Sequence, residues 1–383
     1  MRLVSVAALV VTLFARSAIG ASILYATAAT PGRVDAFCLD ESGGILPEPV
    51  FQTSVGDVPD NAQPRRLLVA NGVLYVAEVD RVEAFRIGTT GGLRRIGGTK
   101  PDQGTRPLDL LVANGMLYVT EGGAGRVTAY PLDADGAPAE NFTSCILSGG
   151  GLSYQRFVMD GSLLYVSASG LPGDVEVHAI GADGSLASTG DACKLLVNGK
   201  RPARTAPLSE RGRLQNPKAL ALLNGVIYVA ERESKVVAAF KLTNGLFTPP
   251  VRVTKTKKRY QKPLSVTAAG PIYEAMVTHG DSLLLSVFGK GRVDSFRVRP
   301  TGKVPKGPSA TTEADVRMSP VGLLSPAGKN IVYVAAGALD RVVAYRLKKN
   351  GVVAEGQPFS ETTEQTGSFP NDVAIAVLPG GCG

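Results

Sequence analysis

The sequence has no tryptophan and only two histidines among its 383 residues. No WD or GH dipeptide recurs, which argues against the WD-type repeats. His178 and His279 are far apart, and neither a Cys-x-x-Cys pair nor a calcium-loop spacing is present, so the sequence predicts no metal site. Gly-x-Ser-x-Gly and phosphate-binding glycine loops are also missing, and we expect no cofactor.

Long helical patterns are missing as well. No long segment repeats apolar residues about every 3.6 positions, whereas 45 glycines and 25 prolines suit many turns. Beyond residue 20, no apolar run reaches the roughly 18 residues that a transmembrane helix needs. These absences predict an all-β chain.

Residues 1–20 have the pattern of a secretory signal peptide. Arg2 gives a positive start, residues 3–15 are apolar, and Ala18 and Gly20 supply the small residues of a cleavage site. We therefore expect a secreted or periplasmic protein. Loss of Arg2 and Arg16 lowers the net charge from +8 to +6, which favours solubility and does not by itself indicate nucleic-acid binding.

One pattern recurs along the chain, and residues 67–87 are its clearest copy. An apolar run, Asn71-Gly72, a second apolar run and a third run at residues 81–85 follow one another. Asn-Gly between β-branched runs predicts a two-residue hairpin turn, so each copy reads as an antiparallel meander. One position of the second run is held in turn by Tyr25, Tyr75, Tyr118, Tyr165, Tyr228, Leu284 and Tyr333.

Seven copies spaced by about 50 residues predict a seven-bladed β-propeller with four-stranded antiparallel blades. The first copy lacks its opening run, and residues 371–377 supply one at the other end of the chain. This C-terminal strand is expected to complete blade 1 as its inner strand and to close the ring. Residues 21–383 would then form one domain, because each blade needs its neighbours to cover its apolar faces.

The long connections of the predicted propeller all fall on one face. They are residues 147–155, 198–216, 253–271 and 303–319, whereas Asn-Gly and Asp-Gly turns occupy the opposite face. Because long loops on a rigid scaffold commonly carry binding sites, we place the functional site on the long-loop face.

Charged residues that are not repeated between blades begin the predicted inner strands. They are Arg65, Arg66, Asp109, Arg156, Lys218, Glu274 and Asp372. Strands that surround one axis bring these side chains together at the mouth of a central channel. There they would either bind a small anionic or hydroxylated molecule or pair with one another and with water.

If a ligand binds, each of these charges has an expected role. The cationic contacts would be Arg66, Arg156 and Lys218. Glu274 would be the catalytic acid or base, and Asp109 and Asp372 would orient their partners.

Other charges recur from blade to blade, which favours a structural role. The third run begins at Arg33, Arg81, Arg126, Arg292 and Arg341, and an acid follows the repeated tyrosine at Glu78, Glu121 and Glu231. We predict inter-strand or inter-blade ion pairs for them, and buried tyrosines whose hydroxyls have partners. His178 replaces a core aromatic residue, and His279 lies in a turn opposite the long loops.

Two surface features allow alternatives. Lys255, Lys257, Lys258 and Arg259 form a basic run at or after the outer strand of blade 5, and would either contact a polyanion or protect a solvated strand edge. Asn141 begins an Asn-x-Thr glycosylation sequon, which matters only in a eukaryotic secretory pathway.

The four cysteines of an exported chain predict disulfides. Cys38 ends the third run of blade 1 and Cys382 follows the C-terminal strand, so a bond between them would latch the ring. Cys145 and Cys193 occupy equivalent outer strands, which splay apart, and their pairing stays open.

The repeat, with its Asn-Gly or Asp-Gly turn, Leu-Tyr-Val run and Val-x-Ala-Phe/Tyr run, resembles the lactonase-type seven-bladed propellers. These include 6-phosphogluconolactonase-like, carboxymuconate-cyclase-like and YVTN-repeat proteins, and the resemblance covers residues 21–383. It implies lactone chemistry in a central pocket with Arg, Glu and His. Arg66, Arg156 and Glu274 could occupy that pocket, and no His matches.

Two functions follow from the sequence. The favoured hypothesis is an exported, monomeric scaffold that binds a ligand or a protein partner through its channel mouth and long loops. The alternative is a lactonase-like hydrolase of an extracytoplasmic sugar or aromatic lactone.

Overall fold

The computed structural model describes residues 21–56, 63–100, 105–146, 153–169, 174–186, 216–232, 236–243, 246–247, 251–252, 259–260, 265–268, 272–315, 317–363, 369–379 and 382. The predicted signal peptide, Cys193 and the lysines of the basic run lie outside these residues. Among the described residues, no helix has both the length and the apolar character to cross a membrane.

Seven antiparallel sheets follow one another as blades, and the first four contain the following strands. Blade 1 has β1 (Ala21–Ala28), β2 (Arg33–Cys38), β3 (Phe51–Ser54) and the last strand of the chain; blade 2 has β4 (Arg66–Ala70), β5 (Val73–Ala77), β6 (Val82–Ile87) and β7 (Leu93–Gly98). Blade 3 has β8 (Pro107–Ala113), β9 (Met116–Glu121), β10 (Arg126–Pro131) and β11 (Thr143–Ile146); blade 4 has β12 (Ser153–Asp160), β13 (Leu163–Ser169) and β14 (Asp174–Ala179).

The remaining strands complete the ring. Blade 5 has β15 (Pro217–Leu223), β16 (Val226–Glu231), β17 (Val236–Thr243), β18 (Leu246–Phe247) and β21 (Ser265–Ala268), and the separate pair β19 (Val251–Arg252) and β20 (Arg259–Tyr260) precedes β21. Blade 6 has β22 (Tyr273–His279), β23 (Ser282–Val287), β24 (Arg292–Arg297) and β25 (Ala310–Thr311); blade 7 has β26 (Pro320–Leu324), β27 (Ile331–Ala336), β28 (Arg341–Arg346) and β29 (Ser360–Glu361); the last strand is β30 (Val373–Leu378). Short 3-10 helices occur at Phe288–Lys290 and Gly337–Leu339.

The predicted Asn-Gly turns are confirmed. Asn71 and Gly72 have φ angles of 51° and 72°, the left-handed pair that a two-residue hairpin turn of type I′ needs. Asparagine tolerates this region better than other residues with a Cβ atom, and glycine enters it without steric cost.

Ring closure by the C-terminal strand is also confirmed. β30 pairs antiparallel with β1, in a register that runs from Ala21 opposite Leu378 to Ala26 opposite Val373. The seven inner strands β4, β8, β12, β15, β22, β26 and β30 each contact the next one around the axis. The all-β, seven-bladed architecture is therefore the one that the repeat predicted.

The Cys38–Cys382 disulfide is present, with a Cα–Cα distance of 5.7 Å. It joins the end of the third run of blade 1 to the segment after β30, so it latches the closing strand to its own blade. Cross-linking positions 344 residues apart contributes about 6 kcal/mol in the chain-entropy model.

The six repeated tyrosines are buried, and five of them form a hydrogen bond to the next blade within the described residues. The hydroxyl donates to a glycine carbonyl in the turn after the third strand of that blade, in the pairs Tyr25 to Gly91 (2.8 Å), Tyr75 to Gly136 (2.8 Å), Tyr118 to Gly184 (2.6 Å), Tyr228 to Gly302 (3.0 Å) and Tyr333 to Gly43 (2.7 Å). In blade 6, where Leu284 replaces the tyrosine, Ser282 donates to the Asn350 carbonyl at 3.1 Å. This hydrogen bond therefore links one blade to the next around the ring.

The repeated arginines form ion pairs within their own blades. The pairs are Arg33–Asp35, Arg81–Glu78, Arg126–Glu121, Arg292–Asp294 and Arg341–Glu361. His178 is fully buried, as expected for a substitute of a core aromatic residue, and His279 Nδ1 lies 2.8 Å from Ser325 Oγ.

In blade 2, two buried carboxylates lie near the same arginine, and one of them, Glu83, also pairs with Arg95 at 3.1 Å. Glu78 and Glu83 are each 1% exposed and lie 3.5 and 3.9 Å from Arg81 Nε. Burial and the neighbouring Glu83 raise the pKa of Glu78 to about 8, against the opposing effect of Arg81. The folded chain therefore holds a proton on Glu78 that the unfolded chain releases near its ordinary pKa.

We expect the free energy of unfolding to fall as the pH rises from about 5 to 8, because over this range the folded state binds the proton more tightly than the unfolded state does. The Glu78→Gln variant should lose this part of the pH dependence, which amounts to a few kcal/mol at about 1.4 kcal/mol per pKa unit. Urea unfolding at several pH values measures it. Glu48→Gln, at an exposed carboxylate, is the matched control, and parallel curves for Glu78→Gln and the wild type would contradict the expectation.

Candidate functional site

Three of the predicted site residues, Arg156, Lys218 and Glu274, lie at β-bulges in the inner strands. The ladder register skips one or two residues at Leu108, at Gln155 and Arg156, at Lys218, at Glu274 and Ala275, and at Val321. A bulge leaves its residue out of the ladder and turns its side chain. Arg156, Lys218 and Glu274 are therefore placed at the channel mouth by a local irregularity that recurs in five blades.

Hydroxyls on the second strand bond the backbone near these bulges. Ser167 Oγ accepts from the Arg156 N–H at 3.1 Å, and Ser286 Oγ accepts from the Ala275 N–H at 2.8 Å. In blade 1, Thr27 Oγ1 accepts from the Asp372 N–H at 3.0 Å. Each hydroxyl lies two residues after the repeated tyrosine position, but Ala230 and Ala335 hold this position beside the bulges of blades 5 and 7, so a hydroxyl there does not locate the bulges in general.

Four of the predicted residues form one ion-pair cluster. Arg66 Nε is 2.8 Å from Asp109 Oδ1, and Arg66 Nη1 is 3.1 Å from Asp372 Oδ1. Arg156 Nη1 is 3.3 Å from Asp109 Oδ1 and donates to the Leu108 carbonyl at 3.0 Å. The cluster joins blades 1 to 4. The sequence allowed either ligand binding or mutual pairing for these charges, and in the structure the four side chains pair with one another.

The two aspartates also bond the backbone of a neighbouring blade. Asp372 Oδ2 accepts from the Leu67 N–H at 2.9 Å, and Asp109 Oδ2 accepts from the Phe157 N–H at 3.0 Å. Gly322 lies against Asp372, because a Cβ atom there would come within 2.8 Å of the Asp372 Cα atom. Asp109 and Asp372 therefore hold inner strands together as well as orienting arginines.

The two arginines of the cluster differ electrostatically. Burial works against the charge of Arg66, but Asp372 and Asp109 outweigh it and raise the pKa of Arg66. Burial and the nearby Arg66 lower the pKa of Arg156, although Asp109 and Asp372 oppose this effect. Arg156 is thus the less fully compensated cation, and a ligand anion would stabilise it more.

A second group of charges lies on blades 4 to 6. Lys218 Nζ donates to Gln155 Oε1 at 3.1 Å, and Arg232 Nε lies 3.7 Å from Glu274 Oε1. Burial lowers the pKa of Lys218; Glu274 opposes this effect, and nearby arginines including Arg232 add to it. The sequence did not single out Gln155 or Arg232, because neither recurs nor begins a strand.

The edge of the mouth has an unusual backbone. Several residues other than glycine that directly precede a proline have positive φ angles. They are Arg106 (49°), Asn216 (60°), Ser319 (41°) and Phe369 (40°). Such conformations are uncommon for residues other than glycine and concentrate at functional sites. Arg65 also lies at the edge, where burial and the nearby Arg106 lower its pKa.

The basic run is only partly described. Lys255, Lys257 and Lys258 lie outside the described residues, and Arg259 belongs to β20. Both β18 and β21 pair with β17 at the outer edge of blade 5, and the run lies between them in the sequence. Its position at or after the outer strand stays a prediction. Within the described parts of the chain, no group of three His, Cys, Asp or Glu side chains could hold a metal ion.

Solved structures share this fold over almost their whole length. A periplasmic gluconolactonase from Pseudomonas aeruginosa aligns with a TM-score of 0.68 at 16% identity, over 94% of this chain and 99% of that one. A Bacteroides fragilis protein provisionally named a 6-phosphogluconolactonase aligns with a TM-score of 0.69 at 14% identity, over 94% and 99%. The fold is that of the lactonase-type propellers. No protein-family model matches the chain, and no curated protein matches it either.

A protein from Lactobacillus plantarum aligns equally well, with a TM-score of 0.68 at 16% identity over 93% of this chain and 99% of that one. At identities this low, the structural alignments establish only the arrangement of a lactonase-type propeller. The chemistry has to be inferred from the residues of this chain. The resemblance that the repeat predicted is thereby confirmed for the fold.

Proposed function

We propose that the channel mouth binds and hydrolyses a lactone of a hydroxylated carboxylic acid. The observation that carries this proposal is the group of Arg156, Lys218, Arg232 and Glu274, in which one carboxylate faces several cations. Cations near a lactone carbonyl stabilise the negative charge that develops on its oxygen when water attacks. The lactonase names of two structural neighbours support the same reaction class.

In this proposal each residue has one chemical role. Arg156 is the cation for the carbonyl oxygen, since it is less fully compensated than Arg66. Glu274 removes a proton from the attacking water, and Arg232 holds its carboxylate in place at 3.7 Å. Asp109 and Asp372 orient the arginines. The predicted export signal and the periplasmic neighbour support a substrate outside the cytoplasm.

A scaffold without catalysis is the second candidate function. It is favoured by the Arg66–Asp109–Asp372–Arg156 cluster, whose charges already satisfy one another. In that case the mouth would bind a hydroxy acid without opening a lactone. Purified protein with a panel of sugar and aromatic lactones separates the two functions, because only an enzyme increases the rate of ring opening.

Replacing both Arg156 and Glu274 with alanine is expected to abolish turnover while the propeller stays folded. Glu274→Gln alone should lower kcat by about 10²- to 10⁴-fold, the usual contribution of a general base. Both effects are measured in a lactone hydrolysis assay that monitors the protons released by the reaction.

Arg341→Ala is the control, because its ion pair with Glu361 lies in the outer part of blade 7; it should affect stability and leave kcat unchanged. Full turnover by the double variant would mean that the site lies elsewhere, with the basic run around Lys257 as the next region to test.

A further inference from the structure

We propose that Lys218 is the general acid of this hydrolysis, and that it protonates the ring oxygen of the lactone as the carbon–oxygen bond breaks. This inference rests on the proposed function. It assigns to Lys218 a proton transfer, where the sequence suggested only an anion contact.

The first observation that supports the inference is the position of Lys218. Lys218 and Glu274 are each the second residue of an inner strand, in neighbouring blades, and each lies at a bulge. On its other side the Lys218 ammonium donates to Gln155 Oε1 in blade 4 at 3.1 Å. The amine is therefore held at the channel mouth between a neutral amide and the proposed base.

The charges around Lys218 are the second observation that supports the inference. Among the described residues, the charged groups that act on its amine are one carboxylate, Glu274, and three guanidinium groups, Arg232, Arg156 and Arg106. Burial has the largest effect and lowers the pKa of Lys218, and the arginines lower it further. An ammonium in such surroundings releases its proton more readily than an exposed lysine does. Gln155 is neutral, so it fixes the amine without stabilising its charge as a carboxylate would.

The proton balance closes without another reactant. Water forms a bond to the carbonyl carbon as Glu274 takes its proton, and the bond from that carbon to the ring oxygen breaks. The departing oxygen takes a proton from the Lys218 ammonium and becomes the hydroxyl of the product. Glu274 then holds one extra proton and Lys218 lacks one, and transfer between them through water restores both groups.

The first experiment titrates the amine without using activity. Competitive acetylation of the whole protein over a pH series, with peptide mapping, gives an apparent pKa for each lysine. We expect a lower value for Lys218 than for the exposed Lys329, a further decrease in Glu274→Gln and an increase in Arg232→Gln. Equal titration of Lys218 and Lys329, with no response to either substitution, would overturn the inference.

The second experiment compares two lactones that differ in their leaving group. A phenolic ring oxygen can leave the carbonyl carbon without first taking a proton, whereas an aliphatic ring oxygen needs one. Lys218→Gln and Lys218→Arg should therefore lose at least about tenfold more kcat on an aliphatic δ-lactone than on dihydrocoumarin, because arginine keeps the charge but does not give up a proton.

The outcomes separate this inference from the proposed function. Equal losses on the two lactones, or full activity of Lys218→Arg, would make Lys218 a charge contact only and overturn the inference while hydrolysis stands. If the wild-type chain opened no lactone of either kind, both proposals would be wrong. Circular dichroism of each variant confirms that the propeller is intact.

Discussion

Deletion of residues 370–383 is expected to leave a chain that is insoluble or unfolds without cooperativity. β30 contributes Val373, Ala374, Ala376 and Leu378, none more than 8% exposed, and its removal also uncovers the pairing edge of β1. Each large buried apolar side chain is worth about 1.5–3 kcal/mol, and the opened edge invites pairing with other chains. Val373 and Leu378 together contribute about 3–6 kcal/mol, and the deletion also removes the Cys38–Cys382 disulfide and the hydrogen bonds of Asp372. The total approaches the whole stability of a typical domain, about 5–15 kcal/mol.

Thermal unfolding of the truncated and full-length proteins measures this loss. The control is the double variant Cys38→Ser with Cys382→Ser, which keeps β30 and removes only the disulfide. It should fold cooperatively with a stability lower by about 6 kcal/mol, the contribution of the long loop in the chain-entropy model. A truncated chain that melted like the full-length protein would show that the ring does not need its C-terminal strand.

Asp372→Ala is expected to lower the stability by about 3–5 kcal/mol, because it removes one partner of a buried ion pair. Asp372 is 2% exposed and bonds both Arg66, at 3.1 Å, and the Leu67 N–H, at 2.9 Å. The substitution leaves a buried N–H without its acceptor and removes one of the two acids that stabilise the charge of Arg66.

Asp372→Asn distinguishes the two contributions, because the amide keeps an acceptor for Leu67 and loses the charge. It should lie between the wild type and Asp372→Ala in chemical denaturation. Asp281→Ala, at an exposed aspartate, is the matched control and should change stability by less than about 0.5 kcal/mol. If Asp372→Ala were as stable as this control, the ion-pair cluster would not support the ring.

Four of the side chains predicted for the mouth lie together in the structure, and their roles in binding or catalysis stay predictions. The sequence brought Arg66, Asp109, Arg156 and Asp372 to one place because each begins an inner strand and none recurs. It left open whether they pair, and the structure shows that they do. Gln155, Arg232 and Arg106 were missed, because their proximity to Lys218 or Glu274 depends on how neighbouring blades pack.

The architecture of this protein can be predicted from its amino-acid sequence. Asn-Gly turns such as Asn71-Gly72 impose local hairpin geometry, and the repeat with its displaced opening run implies seven blades and a closing strand, since these are short-range and periodic properties. Which charges meet depends on how the blades pack. The partner of Tyr118 is the carbonyl of Gly184 in the next blade, and the side chains at the mouth are placed by bulges, because such contacts depend on distances between distant segments that no local pattern encodes.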